Sequence, residues 1–69
     1  MDIVQKIELA ATYTKTSQTA IASALNTTPQ SWYNRKRVGK FTTEELEQIA
    51  EALGGKYVCY FEFEDGTKI

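Results

Sequence analysis

The sequence predicts an α+β fold, on three observations. Apolar residues recur with helical spacing as far as Leu53, and helix-start signals punctuate them. From Tyr57 the spacing switches to two: Tyr57, Cys59, Phe61 and Phe63 alternate with Val58, Tyr60, Glu62 and Glu64. Asp65-Gly66 then supplies a reverse-turn signal. The expected architecture is a single domain over residues 1–69, with four helices over about residues 2–12, 17–25, 29–38 and 42–53. A C-terminal β-hairpin follows, with strands over about 56–63 and 67–69.

The first helix opens at Asp2, which with Gln5 has the form of a capping box. Ile3, Val4, Ile7 and Ala10 or Ala11 fall on one face, and the β-branched, polar run ATYTKTS ends the helix near Thr12. The second helix begins at Ser17, whose hydroxyl can cap the first turn. Its apolar stripe is Ala20, Ile21, Ala24 and Leu25, and the small residues Ala20, Ala22 and Ala24 admit a close neighbour. Asn26 stops it, because Asn tolerates the left-handed conformation past a helix end.

A third helix follows after a very short turn. Thr28 caps it, and Pro29 suits the first helical position, where no N–H is required. Trp32 is its inward anchor, while Gln30, Ser31, Tyr33, Asn34, Arg35 and Arg37 cover the other faces. The fourth helix has a capping box, Thr42 with Glu45, and a hydrophobic staple, Phe41 with Leu46. Leu46, Ile49, Ala50 and Leu53 repeat along it, Gly54 terminates it, and Glu44, Glu45, Glu47 and Glu51 form a solubilising outer face.

Two registers are open to the hairpin. A two-residue loop pairs Glu62 with Ile69 and Phe63 with Lys68, mixing apolar and charged groups. A three-residue loop, Glu64 to Gly66, pairs Phe61 with Ile69 and Glu62 with Lys68, and is preferred because both faces stay consistent. The longer strand keeps an open edge, which is either an aggregation hazard or a dimer seam. The expectation is the seam, through Val58, Tyr60 and Glu62.

Composition narrows the chemistry. A chain of 69 residues buries only ~60% of its unfolded surface and leans on a disulfide, a metal or a partner. With no histidine and one cysteine, Cys59, it has no internal disulfide and no ordinary Cys/His zinc site. The remaining route is a homodimer. No cofactor, metal or small-molecule ligand is expected. Cys59 reads as a small apolar strand residue, and a lone cysteine suits a reducing cytoplasm. The start MDIVQKIELAATY has neither a basic beginning nor an unbroken apolar run, so neither a secretory leader nor a membrane span is expected. Enzymatic activity is not expected either: there is no phosphate loop and no base beside the single thiol.

The net charge of −1 hides an asymmetry. Residues 9–43 carry five cations (Lys15, Arg35, Lys36, Arg37 and Lys40) and no acid, whereas residues 44–69 carry two cations and seven acids. A polyanion can approach one half while the other repels it.

Two helices meeting at a tight turn, the second capped and basic, form a helix-turn-helix arrangement. Residues 17–53, SQTAIASALNTTPQSWYNRKRVGKFTTEELEQIAEAL, resemble the XRE/Cro-type helix-turn-helix family of phage and bacterial regulators. The matching positions are Gln18, Ile21-Ala22, Leu25, Asn26 in the turn, Thr28, Gln30-Ser31, apolar Trp32 and the pattern ending in Leu53-Gly54. The hairpin resembles that of Cro-like members, whose strands build the dimer. Two positions depart from the family pattern. Asn26 stands where Gly is usual, and Arg35-Lys36 stand where another apolar residue follows the anchor. Aliphatic stems of those cations would cover the gap.

The residues make a case for double-stranded DNA beside the resemblance. The major groove admits one α-helix, and side chains near its N-terminus reach base edges. Gln30 and Asn34 lie one turn apart on the same face, and amides can bind adenine in bidentate fashion. The resemblance implies base contacts at these same two positions. Ser31 can reach a phosphate or a base, and Tyr33 can pack on sugar or touch a thymine methyl. Arg35, Arg37 and Lys40 are candidate phosphate contacts. Gln18 resembles the family's phosphate-binding glutamine, assisted by a helix N-terminus.

The expected function is a dimeric, sequence-specific transcriptional regulator, and the resemblance implies repression from a short palindromic operator. The alternative is a protein-binding adaptor or antirepressor that keeps the fold, docking through the acidic fourth helix and the strand edge. The DNA reading requires the Gln30 and Asn34 amides to project outward. It also requires the 35–37 cations to be free of the molecule's own carboxylates.

Overall fold

All four expected helix starts are capped in the computed structural model, which describes residues 1–69. The helices are α1 (Ile3–Thr14), α2 (Gln18–Ala24), α3 (Pro29–Val38) and α4 (Thr43–Ala52). Both capping boxes close. Asp2 Oδ1 accepts from the Gln5 N–H at 2.8 Å while Gln5 Oε1 accepts from the Asp2 N–H at 2.9 Å. Thr42 Oγ1 accepts from the Glu45 N–H at 3.1 Å while Glu45 Oε1 accepts from the Thr42 N–H at 2.9 Å. Ser17 and Thr28 each satisfy one free N–H of the helix they precede, both at 3.1 Å.

Helix α1 runs past Thr12, to Thr14. The hydroxyls of Thr12 and Thr14 donate to the carbonyls of Glu8 and Ala10 at 3.0 and 2.9 Å, so these threonines satisfy themselves inside the helix. The stop is Lys15, left-handed at φ 57°. Asn26 closes α2 at φ 54°, as its type suggested, and Gly39 closes α3 at φ 75° with its N–H donating to the Arg35 carbonyl.

The core is Ile7, Ala11, Ile21, Ala22, Trp32 and Ile49, with Ile3, Leu25, Phe41, Leu46 and Leu53 packed against it. Both staple residues, Phe41 and Leu46, thus reach the interior. Helix α2 is rotated from the expected stripe: Ala22 is buried and Ala20 is exposed. It packs against α3 and α4 at once, and Ala22 is fully buried in the core.

The α+β expectation is overturned: the fold is all-α, with no strand and no C-terminal β-hairpin. Beyond Leu53 the chain forms one isolated antiparallel bridge, Glu62 with Lys68. Phe61 and Ile69 also exchange backbone hydrogen bonds, and Asp65 Oδ1 accepts from the Thr67 N–H at 2.9 Å. These pairings are those of the three-residue loop, but they do not extend into a ladder. The reason is physical. A return segment of about three residues is marginal by itself. Every residue over 58–69 is exposed, so the alternating side chains have no buried face that would stabilise a sheet. Val58, Tyr60 and Glu62 therefore lie on an exposed tail and not on the strand edge expected of them. The tail stretches the molecule to 44 × 23 × 20 Å, and the radius of gyration is 13.2 Å. A compact chain of this length has about 11 Å.

Candidate nucleic-acid interface

Trp32 fixes which way α3 faces. Its ring is 1% exposed, lies 5.7 Å from the Phe41 ring at 47°, and its Nε1–H donates to Gln18 Oε1 at 2.8 Å. Successive helical residues turn by about 100°, so Gln30 and Asn34 point nearly opposite Trp32, with Arg37 alongside. All three are exposed, as are Ser31 and Tyr33 on the flanks and Lys40 just beyond the helix. The two amides thus project outward together. Ser31 Oγ accepts from the Thr28 hydroxyl at 3.0 Å and keeps its own proton to donate.

The basic run divides. Arg35 and Lys36 flank Trp32 and fill the positions where an apolar side chain was expected. The Arg35 guanidinium sits 5.4 Å from the Phe41 ring centroid, and its two terminal nitrogens grip both oxygens of Glu45 at 2.7 and 2.8 Å. Nη2 also donates to the Lys40 carbonyl at 3.2 Å. The bond to Glu45 raises the Arg35 pKa. The same bond, followed by the Thr42 backbone N–H, lowers the Glu45 pKa from 4.5 to about 2. The Lys36 side chain is only 17% exposed; its Nζ donates to Glu8 Oε1 and Gln18 Oε1, each at 2.9 Å, and lies 5.7 Å from the Trp32 ring centroid. The charged heads are held by the molecule's own carboxylates, so the requirement that residues 35–37 be free of them fails at Arg35 and Lys36. Arg37 alone of the three has no ion-pair partner.

The expected phosphate contacts therefore stand differently from one another. Arg37 and Lys40 are exposed and unpaired; Arg35 is committed to α4. Gln18 is committed through its oxygen, which accepts from both Trp32 and Lys36, so its NH2 group is what remains to donate. Gln48 was not anticipated. With Thr27, Ser31, Asn34, Arg35 and Glu45 it lines a polar recess of about 330 Å³ between α3 and α4. Its place one turn beyond Glu45 on α4 was the only available signal. A second recess, apolar and about 210 Å³, lies between α1 and α4 with Tyr57 at its border. No three Cys, Asp or Glu side chains converge as a metal site, and no helix is long and apolar enough to cross a membrane.

No family model, curated protein or solved structure matches this chain.

Proposed function

We propose that this protein is a sequence-specific double-stranded DNA-binding regulator that acts as a homodimer, with α3 as its reading helix. One observation carries the reading: Gln30 and Asn34 are exposed side by side on a helix whose rotation is locked by the burial and hydrogen bond of Trp32. A locked rotation matters because bidentate amide contacts to adenine need both side chains aimed at once. Of the two conditions the sequence set, the outward amides are met, but the free 35–37 cluster is not, because Glu45 and Glu8 hold Arg35 and Lys36. The reading therefore rests on the amide face, bordered by Ser31 and Tyr33, with only Arg37 and Lys40 left as charge for the phosphate backbone. Occupancy of a short palindromic operator would repress transcription by occlusion. No catalytic group enters this reading.

The test is selection of bound duplexes from a random pool, followed by titration of variants on the selected site. Gln30→Ala and Asn34→Ala each lose about 1–3 kcal/mol of discrimination against the wrong base. Arg37→Ala weakens selected and random duplexes alike and lowers the salt slope by about 1. An intact fold with no affinity for any duplex at low salt would refute the reading.

A second reading is favoured by a different observation. Two of the three consecutive cations are neutralised internally, while large apolar side chains stand in solvent on the tail. A protein-binding adaptor or antirepressor with this fold would show that pattern. It predicts partner binding that survives Gln30→Ala and is insensitive to competitor DNA.

A further inference from the structure

The ion pairs around α3 have a direction that bears on how DNA would be discriminated. Arg35 offers its guanidinium fork to Glu45 through both terminal nitrogens, at 2.7 and 2.8 Å. A phosphate needs that same fork, because carboxylate and phosphate accept the same two parallel N–H bonds. The third bond, to the Lys40 carbonyl at 3.2 Å, draws the group further toward α4. Lys36 is constrained more tightly. Its Nζ is shared between Glu8 of α1 and Gln18 of α2, and lies 5.7 and 5.8 Å from the Trp32 and Tyr33 ring centroids. Both carboxylates come from elements outside the reading helix, and each takes one of the two cations that flank its buried anchor.

We propose that Glu8 and Glu45 act as internal substitutes for DNA phosphate, holding Arg35 and Lys36 off the duplex so that affinity for arbitrary sequence stays low. This inference rests on the DNA-binding reading and adds how the site is kept selective. Nonspecific affinity comes from counterion release and grows with each neutralised phosphate, whereas base contacts add only at the correct site. A reading helix with every cation free would hold any duplex tightly and discriminate poorly. With Arg35 and Lys36 occupied, Arg37 and Lys40 carry the phosphate contacts, and Gln30 and Asn34 contribute a larger share of the total.

Glu45→Gln and Glu8→Gln test this in the full chain. Gln at position 45 preserves the capping box, since Glu and Gln serve equally at that place, and removes only the charge. Gln at position 8 keeps an oxygen within reach of Lys36. Glu47→Gln is the control: it removes an identical charge from an exposed residue of α4 that pairs with no cation. Affinity for a random duplex and for the selected site is measured from about 50 to 200 mM salt. Each freed cation steepens the dependence of log affinity on log salt by ~0.9, which adds about a threefold loss over that range. Glu45→Gln and Glu8→Gln each show this increment and a reduced ratio of selected-site to random-duplex affinity; Glu47→Gln does not. Slopes unchanged from wild type in both variants, or a change equal to that of Glu47→Gln, would overturn the inference while leaving DNA binding intact. A wild-type protein that binds no duplex overturns the parent reading and this inference with it. Should one variant lose its helical circular dichroism, the other decides alone.

Discussion

Burying Trp32 removes its indole N–H from water, and Gln18 replaces the lost partner at 2.8 Å. One side chain thereby fills the interior, ties α3 to α2, and presents a face to the Lys36 ammonium. Removing a buried Trp costs about 3–5 kcal/mol, and a domain of this size has roughly 0.05–0.15 kcal/mol per residue in total. Trp32→Ala is therefore expected to abolish the cooperative thermal transition seen by far-ultraviolet circular dichroism. A transition persisting within a few degrees of wild type would mean that α3 is anchored elsewhere. Gln30 and Asn34 behave oppositely. Their side chains are exposed and make no hydrogen bonds to the rest of the chain, so they can be changed at little cost to stability.

At the scale of elements, the junction between α3 and α4 depends on one carboxylate. Glu45 closes its own helix's capping box and holds Arg35, which in turn binds the carbonyl of Lys40 in the connecting loop. Its pKa is lowered to about 2, chiefly by Arg35 and then by the Thr42 N–H. A carboxylate held below its unfolded value contributes stability that is fully present above about 4.5 and is lost as pH falls toward about 2. Wild type should therefore lose thermal stability across that window. The stability difference between wild type and Glu45→Gln, largest near neutral pH, should shrink over the same interval. A difference that stays constant with pH would show that the ion pair contributes nothing to folding.

At the scale of the whole molecule, the buried core lies within the four helices, while large apolar side chains stand exposed both on the helices, Tyr13 and Val38 among them, and on the tail. Phe61 is 76% exposed, Ile69 72%, Val58 62% and Tyr60 47%. Where such side chains adjoin, exposed apolar surface marks an interaction site on a small domain. The proposed homodimer needs a surface that a second copy covers, and the tail is the candidate. Tyr60→Lys is expected to convert a sedimenting dimer to monomer and to weaken binding to a two-half-site duplex far more than to a single half-site. Wild type sedimenting as a monomer at micromolar concentration would remove the dimer from the proposal.

What could be read from the chain alone was local chemistry. Asp2, Ser17, Thr28 and Thr42 act within three residues of themselves, so their capping roles follow from spacing without knowledge of the fold. The outward direction of Gln30 and Asn34 follows from one buried Trp and a fixed helical period. Three features were decided only in three dimensions. The rotation of α2 that buries Ala22 and exposes Ala20 is set by packing against the other helices, which the local pattern does not carry. Arg35 and Lys36 are neutralised by Glu45 and Glu8, which lie 10 and 28 residues away along the chain. The alternating tail forms no strand because a sheet needs a surface to bury one face against, and the helices offer none to residues 58–69. Periodicity reports which side chains would share a face; only packing decides whether anything lies opposite it.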